Sequence, residues 1–400
     1  MARRVINTLL LLAFCCAMPL ALQAQEFDIF GRKVQIHGFA SQGFAYTDNN
    51  NWLTMKTSDG SAAFTDFGVN VSVPLTDKLR IGAQMYDRNI GSLGDWHPTL
   101  DWAYADYRFA SWFGIRGGKV KTVFGLYNDT QDLDFIHTFA LLPQSIYPTD
   151  MRESTIAHMG GDFYGDVRLG KGLGTLSYTA FAGIREDSQY GGYPYLLRPV
   201  GISYHSYGGI QYGGDLRWKT PLEGLTVGMS RMNERIEGDG SWTMAGYGTF
   251  ATHEESIDDW MNQFYGRYTK GKFSFDAEYR RYYRNQAILS GMSIITTDVR
   301  GWYVAGSYQV LDWLRLGSYF SRYTLFSPNA STGIMDEDIN DAVVTARFDV
   351  NRFVNVKLEG HFMDGYGVPG LYPSGFYTSD NPQGLKNNTN GLIARIGFNF

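Results

Sequence analysis

Apolar and polar positions alternate with a period of two in segment after segment, the pattern of strands whose two faces meet different surroundings. Phe67, Val69, Val71 and Val73 fall on one side, with Gly68, Asn70 and Ser72 between them. Pro74 to Lys78 supplies a turn. The chain then returns with Leu79, Ile81, Ala83 and Met85 against Arg80, Gln84, Tyr86 and Arg88. Phe273, Phe275, Ala277 and Tyr279 oppose Ser274, Asp276, Glu278 and Arg280, and Ala342, Val344, Ala346 and Phe348 oppose Thr345, Arg347 and Asp349. The final segment repeats the theme: Leu392, Ala394, Ile396, Phe398 and Phe400 alternate with Ile393, Arg395, Gly397 and Asn399.

Short turns and long polar connections take turns between these segments. The pattern predicts about sixteen antiparallel strands. They lie near residues 33–47, 62–75, 79–90, 99–110, 113–121, 155–168, 174–186, 206–219, 225–237, 258–270, 272–285, 298–310, 314–325, 338–350, 353–365 and 389–400. Arg, Lys, Asp, Glu or Gln occupy the polar face of nearly every strand, and no second layer is visible to cover the apolar face. A soluble sandwich turns its apolar face inward against another sheet. Lipid outside and water inside suit both faces here, so the expected fold is an all-β transmembrane antiparallel β-barrel. Closure requires the last strand to pair with the one near Val34, leaving no open edge.

The N-terminus changes the boundaries. Arg3 and Arg4 precede an apolar stretch from Leu9 to Leu22, too short for an ordinary spanning helix, and Leu22-Gln23-Ala24 offers a small residue before a cut. Residues 1–24 therefore read as a signal peptide and 25–400 as a single outer-membrane barrel domain, with no plug domain ahead of it. Cys15 and Cys16, the two cysteines, lie in the leader, so disulfides and thiolate chemistry leave with it. The leader also holds two of the 35 Lys and Arg and none of the 40 Asp and Glu, leaving 33 against 40, a net −7. No basic patch argues for nucleic acid. Twenty-seven Tyr, 26 Phe and nine Trp fit strands edged by interfacial aromatics. Mean hydropathy is negative, and no apolar run of about 18 residues follows the leader, which excludes a helical membrane protein.

The connection from Thr122 to Glu153 is the longest in the early half, and it carries Phe124, Phe135, Ala140, Leu141 and Leu142. Apolar residues on so long a loop would be exposed in solvent, so the loop is expected to fold into the lumen and narrow it. Asp129, Asp132, Asp134, Asp150 and Glu153 would then line one side of a constriction. Arg80, Arg88, Arg108 and Arg116 would face them across water and set up a transverse field. A second basic set, Arg267, Arg280, Arg300, Arg315, Arg347, Lys357 and Arg395, is expected on the lumen wall of later strands, mixed with Asp276, Glu278, Asp349 and Glu359.

Catalytic and metal chemistry find little support. His253-Glu254-Glu255 lacks the second His of a zinc helix, and the glycines at 170, 172 and 174 read as a tight turn rather than a phosphate loop. No cofactor, metal or enzymatic activity is expected. Asn329-Ala330-Ser331 fits a glycosylation acceptor, which carries little weight in a bacterial-type barrel.

Several stretches resemble Gram-negative porins of the phosphate-selective or general-diffusion kind. Val34-Gln35-Ile36-His37-Gly38-Phe39 is similar to their opening strand. Arg116-Gly117-Gly118-Lys119, continuing to Phe124-Gly125, resembles the segment that leads those proteins into their constriction loop, with Val123 where Pro is usual. Asn399-Phe400 looks like their closing strand. The resemblance implies a water-filled pore, commonly trimeric, in contact with outer-membrane lipid and lipopolysaccharide, with Phe400 recognised by the barrel assembly machinery. It names no solute, and the lysine cluster of a phosphate-specific loop is missing, since Arg152 is the sole Lys or Arg between Thr122 and Glu153. The expected function is passive diffusion of small hydrophilic solutes or ions; the rival is a non-conducting structural or adhesion barrel.

Overall fold

The computed structural model describes residues 25–29, 31–288, 291–327, 335–367 and 375–400. The leader, residues 1–24, and the acceptor sequence 329–331 lie outside them. Among the described residues seventeen strands occur in chain order: β1 Gln25–Ile29, β2 Arg32–Thr47, β3 Ser61–Pro74, β4 Leu79–Ile90, β5 Thr99–Ala110, β6 Phe113–Lys121, β7 Ala157–Arg168, β8 Thr175–Glu186 and β9 Ile202–Lys219. There follow β10 Leu225–Met244, β11 Gly248–Lys270, β12 Phe273–Ile288, β13 Ser293–Leu311, β14 Leu314–Ser327, β15 Met335–Asp349, β16 Val354–Gly365 and β17 Asn388–Asn399.

Each strand from β2 to β17 pairs antiparallel with its chain neighbour, and β17 pairs with β2 through Gly391↔Thr47 to Asn399↔Phe39. Sixteen strands thus close into a barrel, as the alternation predicted. Backbone bonds between Gly38 and Phe400, 2.9 and 3.2 Å, carry the seam to the last residue. A side chain at Gly38 would collide with the Phe400 ring, so this glycine lets the terminal aromatic lie flat on the seam. The short β1, unforeseen, folds back on β2 from Gln25↔Ile36 to Ile29↔Arg32.

The outward face carries a broad band of apolar residues. Phe275 is 50% exposed, Val304 54% and Val344 54%, while the alternate residues Glu278, Tyr303 and Thr345 are buried inside. Tight turns crowd one end of the barrel, such as Gly271-Lys272 between β11 and β12, and long loops crowd the other. The β10–β11 hairpin runs further toward the long-loop end than the alternation predicted, with pairs out to Met244↔Gly248. There Asp239, Ser241 and His253 make one face polar while Trp242 and Phe250 share the other with Thr252 and Glu254, so period-two contrast is weak although the ladder continues.

Candidate constriction of the lumen

The residues between β6 and β7 fold inward, as predicted. Asn128 clamps their two ends together, its side-chain amide donating to the carbonyls of Thr122 at 2.9 Å and Thr155 at 2.8 Å. From that neck the loop crosses to the opposite wall. The Leu126 N–H and the Tyr147 hydroxyl both donate to Glu278 of β12, at 3.0 and 2.7 Å. The N–H groups of Ala140 and Leu141 donate to Glu359 of β16, at 2.8 and 3.1 Å. Phe139 and Ile146 pack among the inward Tyr303, Tyr319 and Val343. Apolar burial and a carboxylate accepting backbone N–H groups both hold the loop across the lumen.

The acids of the loop do not face arginines across open water. Asp134 is buried between Lys357 at 2.8 Å and Arg395 at 3.2 Å, and Arg395 also binds Asp66 of β3 at 2.9 Å. Burial pushes the Asp134 carboxyl up, but Arg395 and Lys357 overcome it and hold the group below the ordinary carboxylate range. Asp132 pairs with Lys121 at 2.6 Å and accepts from Gln84 at 2.6 Å. Glu153 meets Arg88 at 3.1 Å, and Asp150 accepts from Tyr377 at 2.6 Å. Asp129 is half-buried, its carbonyl accepting from Lys121 at 3.0 Å.

Of the early arginines, only Arg88 meets the loop, through Glu153 and the Thr149 carbonyl. Arg80 donates to Ser72, Arg108 pairs with Asp166 and Arg116 with Asp162, all on the lumen wall itself. The predicted transverse field from Arg80, Arg108 and Arg116 therefore gives way to wall contacts, because a cross-strand partner, Ser72 for Arg80 and an acid for Arg108 and Arg116, lies nearer than the loop. Among the later basic residues Arg395 and Lys357 touch the loop directly, and Arg347 donates to the His137 carbonyl at 2.8 Å. Arg280 lies over the rings of Phe124 and Tyr147 at 5.5 and 5.6 Å. Arg300 is not a lumen residue: it shares the outward face of β13 with Trp302 and Val304 and pairs with Asp298. Its parity with Trp302 and Val304 puts it on that face, whereas its charge alone points to the lumen.

The loop anchors Asp101, Lys121 and Glu278, and Asp66 behind Arg395, were not foreseen from the sequence. Asp66 and Glu278 stand on inward strand positions, Asp101 on a bulge and Lys121 at the end of β6, but nothing local says which of them a loop will reach. Strand register adds one further feature. Arg315, Arg347, Lys357 and Arg395 are direct neighbours on β14 to β17, a row of four cations around the inner wall.

The space left is uneven. Beside the loop, between Asp66, Arg88, Leu141 and Arg395, the cavity measures about 50 Å³, room for a water or two. Toward the tight turns two vestibules open, about 650 Å³ beside His137, Arg267 and Arg315, and about 600 Å³ beside Asn70, Phe135 and Phe400. Toward the long loops, Trp52, Leu53, Tyr195, Leu196, Phe376 and Tyr377 pack together inside the rim. The expected polar, water-lined interior is thus corrected at mid-height, where folded loops and inward aromatics fill it.

Two buried loop groups give the constriction opposing responses to pH. Burial lowers His137 to about 4, and burial lifts Asp150 to about 6 against its hydrogen bond from Tyr377. The His137 contribution to loop stability is full above the ordinary imidazole range and is lost as pH falls through about 4. The Asp150 contribution is full below the ordinary carboxylate range and is lost as pH rises through about 6. Asp150→Asn should therefore leave a loop that loosens on acidification from pH 7 to 4, and His137→Gln one that tightens. Hydrogen exchange of residues 122–156 at the two pH values measures both slopes; equal slopes in the two variants contradict the assignment.

No protein-family model and no curated relative matches the sequence. Solved structures do. OmpT of Vibrio cholerae superposes over 94% of this chain and all of its own, with a TM-score of 0.60 at 13% identity. The OmpF of Salmonella typhi, in complex with daunomycin, gives 0.57 at 14% identity over 94% of this chain and all of its own. The anion-selective porin of Comamonas acidovorans gives 0.55 at 12% over 92% of this chain and all of its own. The fold is that of the outer-membrane porins. At such identities the likeness is one of architecture, and the residues that meet at the loop belong to this chain's own chemistry.

Proposed function

We propose that this chain is an outer-membrane channel for passive diffusion of small hydrophilic solutes or ions, exported by a leader of residues 1–24 and folded as one barrel from residue 25 onward. The observation that carries this reading is a closed wall, apolar outside and charged inside, crossed by one loop tied to both sides through Asp134, Glu278 and Glu359. Such a wall has no use for its charged inner face in a solid structural barrel. The tight turns then lie in the periplasm and the long loops outside the cell.

Cations and acids alternate around the loop, so charge selectivity is expected to be weak. The cation row of Arg315, Arg347, Lys357 and Arg395 biases the vestibule toward anions, and Asp134, Asp66 and Asp349 offset most of it. With a cavity of about 50 Å³ beside the loop, conductance is expected to be small. Purified chain in planar bilayers should give discrete steps in salt. Silence at every voltage would overturn the reading and leave the non-conducting barrel.

Two partners follow from the same reading. One Vibrio cholerae neighbour, in-vitro folded OmpT, is a trimer form, and a trimer is proposed here too. Ala105, Gly117, Gly161 and Ala182 make an outward row of small residues across β5 to β8, flat enough for a second barrel wall. Phe400, lying over Gly38 at the seam, is proposed as the terminal aromatic read by the assembly machinery.

A further inference from the structure

Arg300 belongs to a row of polar residues on the outer wall. In register, Arg231, Asn262, Arg281 and Arg300 are direct neighbours on β10, β11, β12 and β13. All four share the outward face, since they alternate with buried Met232, Met261, Tyr282 and Val299. Arg322 joins them from β14, paired with Trp302 one row nearer the tight turns. Outward arginines on a barrel meet lipid or its headgroups, never the lumen.

Their height decides which. From the Gly271–Lys272 turn to Arg281 is about ten residues, or about 33 Å of strand. At the usual tilt that is about 25 Å along the barrel axis, the height of the apolar band of such barrels. Below the row the outward residues are Phe264, Phe275, Val304 and Phe320. At the row, Trp260 stacks on Tyr283 at 5.6 Å and receives Arg231 and Arg281 over its ring at 5.4 and 5.2 Å. Aromatics of this kind mark the membrane interface. The arginines therefore stand at headgroup level in the leaflet on the long-loop side.

The patch also carries unspent charge. Asp298 accepts from both Arg281, at 3.0 and 2.9 Å, and Arg300, at 3.2 Å. Arg322 pairs with Asp338, and among the described residues Arg231 donates to the amide oxygens of Asn233 and Asn262 and meets no carboxylate. Four guanidiniums thus share two carboxylates. The side chains of Arg281, Arg300 and Arg322 stay 38 to 41% exposed, and such exposed pairs are weak enough to be exchanged. Arginine at all four positions suits phosphoryl oxygens, which accept two parallel N–H bonds from one guanidinium. From Arg231 to Arg300 spans three strand spacings, about 14 Å, wide enough for a headgroup bearing more than one phosphoryl group.

We propose that Arg231, Arg281, Arg300 and Arg322 form a binding site on the outer wall for a phosphorylated glycolipid headgroup of the outer leaflet. The proposal rests on the outer-membrane reading above and assigns the lipid contact to one wall. The test uses the full mature chain in detergent, titrated with a bisphosphorylated lipid A and with the same glycolipid stripped of phosphate, bound lipid being counted by native mass spectrometry. Wild type should bind the phosphorylated form at least tenfold more tightly. R231Q/R281Q/R300Q/R322Q should lose that preference, R281Q should lose part of it, and K171Q, at a tight turn on the far end, should keep it. Heat-modifiable gel migration checks that each variant is folded. Equal binding of both lipids by wild type, or an unchanged preference in the quadruple variant, overturns the proposal, as does cross-linking of two copies through this face. A chain that inserts and conducts yet ignores phosphate overturns this site alone, whereas one that never partitions into membranes overturns the location itself.

Discussion

Removing residues 130–148 is expected to raise single-channel conductance at least about twofold and to move the reversal potential toward anions. The segment holds Phe139, Leu141, Ile146 and Tyr147, which fill the lumen between the neck and β12 to β16. It also holds Asp132 and Asp134 and no Lys or Arg. Deletion therefore widens the passage while leaving Lys357 and Arg395 without the carboxylate they share. Lys121 and Arg152 keep Asp101 but lose Asp132. The lumen becomes more positive by two charges, and the cation row on β14 to β17 stands exposed to the solution. An unchanged conductance removes this loop from the narrowest point, and a shift toward cations contradicts the pairing.

Arg395→Met is expected to be the costliest single substitution in the wall, destabilising the barrel by about 3–5 kcal/mol in denaturant titrations. Arg395 is buried and donates to Asp66 at 2.9 Å, to the Ala140 carbonyl at 2.6 Å and to Ser41, while its guanidinium also lies 3.2 Å from Asp134. Without it Asp66 is a buried carboxylate left with hydroxyl partners, Ser41 and Tyr86. Asp134 still has Lys357, so most of the loss falls on Asp66. The double variant R395M/D66N should accordingly recover more than half of the loss. Lys357→Met should cost less, because Asp134 retains Arg395. A loss under about 1 kcal/mol for Arg395→Met would mean that water replaces the guanidinium and that the pocket is wet.

Much of the architecture was legible because a strand has a period of two. A residue's parity states its face once the apolar side is known, and this holds from Phe67 on β3 to Phe398 on β17. Parity also places Arg395, Arg347 and Glu278 inside and Arg300 outside, although its charge alone suggests the lumen. The apolar residues of the loop after β6 announced its inward fold, since Phe139 and Leu141 had no other place to be buried. What failed was the partnership. The alternation has no term for which inward residue a loop will meet, and Asp134 lies 223 positions from Lys357.

The sequence by itself determined a wall of about sixteen strands, apolar without and charged within, and a loop that had to turn inward, since both are consequences of local pattern and burial. Only the tertiary structure decided that the loop acids are spent in buried pairs with Lys357, Arg395, Lys121 and Arg88 rather than facing arginines across water. Only closure and register bring Arg231, Arg281 and Arg300 into one row on the outside, with Arg322 one row away. Both depend on distances between strands far apart in sequence, and those are fixed by closing the sheet, not by any single strand.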